Sequence, residues 1–361
     1  MATEATGSLA SGPRRRHGCR VERVTVDGRE LVVIENRGLR VTVWPDAGAD
    51  ITEFRHKPTD TDVLWQSPWA PRPAGALRPW AASAEDAFLD RYHGGWQEML
   101  PLCGAAADVH GARIGVHGEA CMLPWRWSVE VDRPDEVAVL FEVDLVRTPF
   151  RLRRRMSVRE DQAALLLEER VTNLGAVGLD FMWGHHPAFG APFLKGGSRI
   201  ATDARSVLTS GVHDDPASRL VPDQRSRWPY ARTRDGGTVD LSLVPGDDVV
   251  AHDWAYLADF AEGWFAIREP DEGVGFACRF PAATFPYVLF WQNFRGARGA
   301  PWYGRAYVAA LEPQSTFPAD FASGAPLLHL DPGGSLEANV TASAFRLDRE
   351  VTYVDARGVV T

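Results

Sequence analysis

Apolar residues recur along this chain with a period of two, and the runs are short. Val21, Val24 and Val26 lead into Asp27-Gly28, a turn dipeptide. Residues 31–35 are apolar and β-branched, and Asn36-Arg37-Gly38 reads as the next turn. Leu39, Val41 and Val43 then alternate with Arg40, Thr42 and Trp44. Alternation broken by tight turns is the hairpin signature. The rhythm returns at 127–131, 136–146, 150–158 and 161–172, the last closed by Asn173-Leu174-Gly175. Arg151, Arg153 and Arg155 predict a strand with one wet face. Helical signals are few, and residues 256–260 form too short a segment to establish one. Residues 67–92 and 213–234, rich in Pro with Ala and Trp or with Asp and Arg, predict two long ordered loops. Loops of that length in a compact domain are usually functional or disordered. No fixed-period repeat and no linker divides the chain. The pattern predicts an all-β fold: one domain over residues 21–350, built as a two-sheet sandwich, since no blade-length repeat supports a propeller.

Composition narrows the partners. The 361 residues carry a formal net charge of −9, which disfavours nucleic acid as a partner. No run of 18 apolar residues predicts a membrane span. Lys57 and Lys195 are the sole lysines, which leaves little scope for Schiff-base chemistry, and neither G-x-x-x-x-G-K-[ST] nor G-x-G-x-x-G is present. The cysteines, Cys19, Cys103, Cys121 and Cys278, form no C-x-x-C pair. With no apolar export segment after Arg14-Arg15-Arg16, they predict reduced thiols in a cytoplasmic protein, with residues 1–20 a disordered leader. Thirteen tryptophans are enough to fill a β core and also to stack on a sugar's C–H face.

Four segments break the alternation and set ionisable residues beside Gly or Pro, where strands end and sites form. They are residues 91–101, with His93, Gly94-Gly95, Gln97 and Glu98; 115–119, with His117-Gly118-Glu119; 183–189, with His185-His186-Pro187; and 311–315, with Glu312-Pro313. Adjacent His185 and His186 face opposite ways on a strand, so one at most enters a given cleft. Imidazole and carboxylate titrate near ~6.5 and ~4.3. Partial burial turns such a couple into an acid and a base on two sides of a substrate. His117, Glu119, His186 and Glu312 are also metal-ligand types, but no H-x-H or H-E-x-x-H spacing supports a metal, and no G-x-S-x-G elbow supports a serine nucleophile.

In this order the segments resemble the aldose 1-epimerase (galactose mutarotase-like) superfamily. The resemblance rests on His117-Gly118 followed by Pro124-Trp125, His186-Pro187-Ala188-Phe189 and Glu312-Pro313. Gly94-Gly95 ahead of Pro101, and Thr172-Asn173-x-Gly175, add to it. So do Glu262-Gly263-Trp264, Phe285-Pro286-Tyr287 and Phe290-Trp291-Gln292. It spans residues 21–348. It implies a large galactose mutarotase-like antiparallel β-supersandwich with a sugar cleft on its concave face, and anomer interconversion with no cofactor and no metal. Carried over, Glu312 is the general base at the C1 hydroxyl, His186 the general acid at the ring oxygen, and His117 a hydrogen-bonding group near either oxygen. His93, Gln97 and Gln292 bind hydroxyls, Trp291 stacks on the ring, and Asp253 holds hydroxyls, with Asp259 as the alternative. The chain departs from the family where the galactose form has Asn-His and this one has His185-His186. It also has His93 where the hexose-phosphate form has Arg before the glycine pair, with Arg91 two residues earlier. His117-Gly118-Glu119-Ala120-Cys121 replaces His-Gly-Phe-Ala-Arg. Two missing arginines argue against a phosphate-bearing substrate and for an uncharged or modified aldose. The competing readings are a non-catalytic sugar-binding or sensing protein on the same scaffold, and a metal-dependent β-sandwich enzyme.

Overall fold

The computed structural model describes residues 15–69 and 83–361; most of the expected leader and the middle of the 67–92 loop lie outside them. The described residues are nearly all antiparallel β. The larger sheet has twelve strands and the smaller has eight. From edge to edge the larger runs Arg20–Val26, Arg29–Glu35, Leu39–Trp44, Asp50–His56, Trp96–Met99, Gly184–Gly190, Tyr307–Gln314, Tyr287–Phe294, Ala251–Ala258, Ser206–Leu208 and Arg225–Arg227, with Thr61–Asp62 off the path. The smaller runs Arg199–Thr202, Trp264–Arg268, Val274–Arg279, Ser335–Arg346, Ala164–Asn173, Phe150–Arg159, Glu136–Asp144 and Arg126–Asp132. The expected strands are present with small shifts of their ends. Asp27 and Gly28 sit at positive φ, 51° and 74°, as a two-residue hairpin turn requires.

In the 256–260 segment, too short to establish a helix, Tyr256 to Ala258 belong to the Ala251–Ala258 strand, where Tyr256 is fully buried. One expectation needs correction. The loop at 213–234 contains two short strands, Arg225–Arg227 and Tyr230–Arg232. In the other long loop Ala84–Leu89 forms a short helix. Among the described residues no helix is long and apolar enough to cross a membrane. All four cysteines are buried free thiols.

The core lies between the two sheets. Trp96, Phe54 and Phe189 of the larger sheet meet Phe276 of the smaller, with ring centroids 6.1, 5.2 and 4.9 Å apart. Arg154 enters this core on the face that alternation sets opposite the wet one. Arg151, Arg153 and Arg155 do point outward, but Arg154 shares the inward face with Leu152 and Met156 and is 0% exposed. Its guanidinium donates to Glu98 Oε2 at 3.3 Å and to the Ala49 carbonyl, and lies 4.8 Å from the Trp125 ring. His185 completes the cluster. Its Nε2 is 3.1 Å from Glu169 Oε2 and its Nδ1 3.3 Å from Glu98 Oε2. Trp183 donates its indole N–H to Glu98 Oε1 at 2.6 Å. The cluster joins the Trp96–Met99 and Gly184–Gly190 strands of one sheet to the Phe150–Arg159 and Ala164–Asn173 strands of the other.

Removing one member of a buried ion cluster strands the others. Arg154→Met should therefore lower unfolding free energy by about 3–5 kcal/mol in urea titration. Adding Glu98→Gln should recover part of the loss; a single variant as stable as wild type would show that Arg154 holds nothing together.

Candidate active site

Strand register assembles the site. His186 faces Gln97 across the Trp96–Met99 strand. On its other side the register Gly184–Gln314 and Ala188–Ala310 sets it opposite Glu312. Glu312 faces Leu289, Leu289 faces Tyr256, and Tyr256 faces Leu208. Directly opposed residues share a face. One row, Gln97–His186–Glu312–Leu289–Tyr256, thus lies on the larger sheet's outer face, while His185 and Glu98 point into the core.

Over this row lies a cavity of about 270 Å³, lined by Phe88, Tyr92, His117, His186, His213, His252, Trp254, Leu289, Trp291, Trp302 and Glu312, among others. Among the described residues no Lys or Arg lines it. A surface groove of about 780 Å³ at Asp223, Arg225, Asp259 and Tyr287 is larger, but it contains none of the acid–base couple. The His186 Nε2 lies 3.4 Å from Glu312 Oε1. Burial alone pushes Glu312 well above the usual carboxylate range. Burial, and His117 beside it, push His186 down to about 3. Both shifts disfavour charge on the couple.

His117 comes from a loop rather than a strand. It sits at φ 59°, and Gly118 follows at φ 87°, where a Cβ would fall 2.2 Å from the Leu100 carbonyl oxygen. Only glycine fits there, which gives the His-Gly pair a physical reason. The His117 Nδ1 is 2.9 Å from the Cys103 carbonyl. A carbonyl only accepts, so Nδ1 carries the proton and Nε2 keeps a lone pair. Burial pushes His117 down to about 4. Its ring meets His186 edge-on at 5.2 Å and Phe88 at 4.6 Å.

Trp291 lies 6.1 Å from the His186 ring and 5.3 Å from Trp302. Its indole N–H donates to His252 Nε2 at 3.0 Å, and His252 Nδ1 is 3.2 Å from Asp215 Oδ2. Asp215, His252 and Trp291 form a chain that holds the indole plane in place. His213 Nε2 is 2.8 Å from the Tyr256 hydroxyl, which in turn accepts from the Ala319 backbone N–H at 3.1 Å.

The structure thus brings Glu312, His186, His117 and Trp291 to one cavity. It sets Asp253 and Gln292 elsewhere. They face each other across two strands on the side opposite Trp254 and Trp291. Asp253 is 0% exposed; its carboxylate accepts from the Arg219 Nε at 2.8 Å, the Arg219 backbone N–H at 2.7 Å and Ser218 Oγ at 3.1 Å. Neither residue lines the cavity, because adjacent strand residues cannot share a face. The alternative, Asp259, is paired with Ser206 and Arg225 beside the larger groove. His93 and Gln97 are buried beside Asp50, next to the cavity but not in its lining. Glu119 turns away and accepts the backbone N–H groups of Val146, Arg147 and Thr148.

Sequence reasoning missed His213, His252, Tyr92, Trp254 and Trp302. Parity would have found two of them: with Trp291 facing the cavity, cross-strand Trp254 and then His252 must face it as well. The group best disposed to hold a cation is Glu98, Glu169 and His185, whose ligand-type atoms lie within 4.8 Å of one another. The Arg154 guanidinium already supplies the positive charge there.

A family model described as a domain of unknown function (DUF4432) matches residues 26–343. The chain belongs to this DUF4432 family. No curated protein matches the sequence at a significant level. Among solved structures it is similar to a galactose mutarotase-like protein from Clostridium acetobutylicum, at 13% identity and TM-score 0.63, over 91% of this chain and 99% of that one. It is also similar to a galactose mutarotase related enzyme from Lactobacillus acidophilus, at 18% identity and TM-score 0.58, over 90% and 100% of the two chains. A protein from Klebsiella pneumoniae, provisionally described as an aldose 1-epimerase, aligns at 14% identity and TM-score 0.65 over 90% and 83%. This member of the DUF4432 family therefore has the galactose mutarotase-like fold.

Buried titration in this family member sets a pH dependence. Burial pushes Asp50 and Glu98 up to about 8 and Glu169 to about 7. Unfolded, such groups titrate near ~4, so between there and pH 8 the folded state holds the extra protons and loses stability as pH rises. The buried histidines, pushed down, are neutral in both states above about pH 7 and add no slope there. Tm should fall from pH 6.5 to pH 8.5 in scanning calorimetry; a flat or rising Tm would mean these carboxyls are ionised in the fold.

Proposed function

We propose that this protein interconverts the anomers of an uncharged aldose by acid–base ring opening and closing. The observation that carries the reading is the buried His186–Glu312 couple at 3.4 Å, facing a cavity walled by aromatic rings. The couple holds one transferable proton, and anomerisation needs one. Glu312, ionised once the shared proton moves to His186, takes the C1 hydroxyl proton. His186 gives its proton to the ring oxygen. The C1–O5 bond opens, the C1–C2 bond rotates, and the same groups reverse roles to close the ring on the other face. A carboxyl raised by burial is a stronger base when ionised than a solvated one, which suits a hydroxyl proton.

The remaining groups follow from their donors and acceptors. His117 offers only a lone pair from Nε2, and a ring oxygen has no proton to give. Its partner is therefore a sugar hydroxyl other than the C1 hydroxyl, whose one proton goes to Glu312. Trp291, held by His252 and Asp215, presents a face for the C–H side of a pyranose. With no Lys or Arg among the described residues of the lining, a phosphorylated or uronic sugar would find no partner there for its charge in a buried site, at high cost.

NMR anomer-exchange rates on neutral aldoses, with uronates and sugar phosphates as controls, test this. Glu312→Gln should lower the catalysed rate at least 100-fold, within the usual reach of acid–base groups, and leave Tm unchanged. Exchange no faster than the uncatalysed rate for every sugar, with binding retained, would favour a sugar-binding protein instead. The two neighbouring histidines should separate cleanly. His186→Ala should abolish exchange in a fully folded protein, whereas His185→Ala should lower Tm by several degrees through the core cluster. Equal effects on both readouts would refute the opposed facing of the two rings.

A further inference from the structure

The row that carries His186 and Glu312 does not stop at the cavity wall. Gln97, the cross-strand partner of His186, is 2% exposed, and beyond it lies Asp50, 4% exposed. Register sets Ile51 opposite Trp96, both in the core. Asp50 and Gln97 are therefore neighbours on the outer face. Gln97 donates its amide to Asp50 Oδ2 at 3.1 Å and to the Gly94 carbonyl at 2.6 Å. Both partners are acceptors, so the amide orientation is chemically forced and Oε1 points elsewhere. His93 Nε2 lies 3.9 Å from Asp50 Oδ2, too far for a hydrogen bond.

This group is built but unsatisfied. Asp50 Oδ1, His93 Nε2, Gln97 Oε1 and the Tyr92 hydroxyl are all buried without a hydrogen-bond partner among the described residues. So are His186 Nδ1 and Glu312 Oε2. Buried polar groups are seldom left unpaired, and a cluster of orphans points to a guest that pairs them. Tyr92 lies between the two halves: the carboxyls of both Glu312 and Asp50 push its pKa further up. It lines the cavity and packs edge-on against His186 at 5.5 Å. The guanidinium groups closest to Asp50 are already engaged, Arg91 with the Met122 carbonyl at 2.7 Å and Arg154 with the Ala49 carbonyl and Glu98.

We infer that the substrate surface extends behind Tyr92, and that Asp50, with His93 and Gln97, binds hydroxyls of the sugar remote from its anomeric carbon. This rests on the mutarotase reading and adds Asp50 as a specificity residue. The orphan set mixes an obligate acceptor, Gln97 Oε1, with carboxyl, phenol and imidazole groups that can donate or accept, so the guest must do both. Hydroxyls do; a phosphate or carboxylate at that end of the sugar brings acceptors alone.

The test is anomer exchange over a concentration series on D-glucose, D-galactose and D-xylose, for folded protein checked by circular dichroism and Tm. On the aldose that wild type accelerates most, Asp50→Asn should raise KM at least ten-fold, more than it lowers kcat. His93→Asn should shift KM in the same direction, and it decides the matter if Asp50→Asn does not fold. Glu312→Gln should show the opposite split, with kcat lost. A KM within two-fold of wild type in the folded variants, while Glu312→Gln abolishes exchange, would overturn the extension and leave the mutarotase reading standing. No acceleration of any of the three aldoses by wild type would overturn both.

Discussion

The site depends on the register of one strand, Gly184–Gly190, and a buried ion cluster holds that register. His185 is drawn inward by Glu98 and Glu169, which are themselves tied to Arg154 across the two sheets. Because side chains alternate, fixing His185 in the core fixes His186 on the outer face. A slip of one residue would turn the imidazole into the core and leave Glu312 facing His185. Such a cluster is weak evidence for stability, since desolvation offsets much of its attraction. Its clearest effect here is geometric: it admits one pairing of the strand and strands charge in any other.

The strands were legible in the sequence because period-two alternation is a local signal. The central couple was legible too, because Glu312-Pro313 and His186-Pro187 break that alternation at points where the chain must be extended. What alternation demands was applied to His185 and His186 but not to Trp291 and Gln292, nor to Asp253 and Trp254. In each of those couples one residue faces the cavity and the other cannot, yet Trp291 and Gln292 were both assigned to the site, and Asp253 was preferred to Trp254 for its chemistry. The structure keeps only the aromatic member of each couple in the cavity. Alternation sets Arg154 on the face of Leu152 and Met156, but what it does there was not legible, because its partners Glu98 and Ala49 are long-range contacts. His213 had no local signal at all. It arrives through the Ser210–Asp223 part of a loop whose path is set by contacts with Tyr256 and Asp253.

The electrostatics of the site follow from burial more than from any charged partner. Among the described residues Glu312 has no Lys or Arg in the cavity with it, and desolvation is what raises its pKa. Three histidines of the cavity, His117, His186 and His213, are all pushed down for the same reason, to about 4, 3 and 4. A cavity like this disfavours separated charge. It suits a reaction in which a proton leaves one oxygen as another reaches a second oxygen, so that little net charge develops. Phosphoryl transfer or metal-assisted hydrolysis would ask the same walls to stabilise an anion, and they offer indole, phenol and neutral imidazole.

Asp50 extends this logic to binding. Its carboxyl is pushed up to about 8 by burial, yet it has a single side-chain partner in Gln97. A purely structural aspartate at that depth would be expected to collect several donors, as Asp253 does from Arg219 and Ser218. The contrast is between two aspartates on strands of one sheet, one saturated and one left open. Saturated Asp253 faces away from His186; open Asp50 shares its face. An unsaturated carboxyl on the reacting face is costly to the free protein, and that cost is recovered when a hydroxylated guest completes its hydrogen bonds. Free energy of this kind appears as affinity, not as rate, which is why Asp50 and Glu312 should separate in KM and kcat.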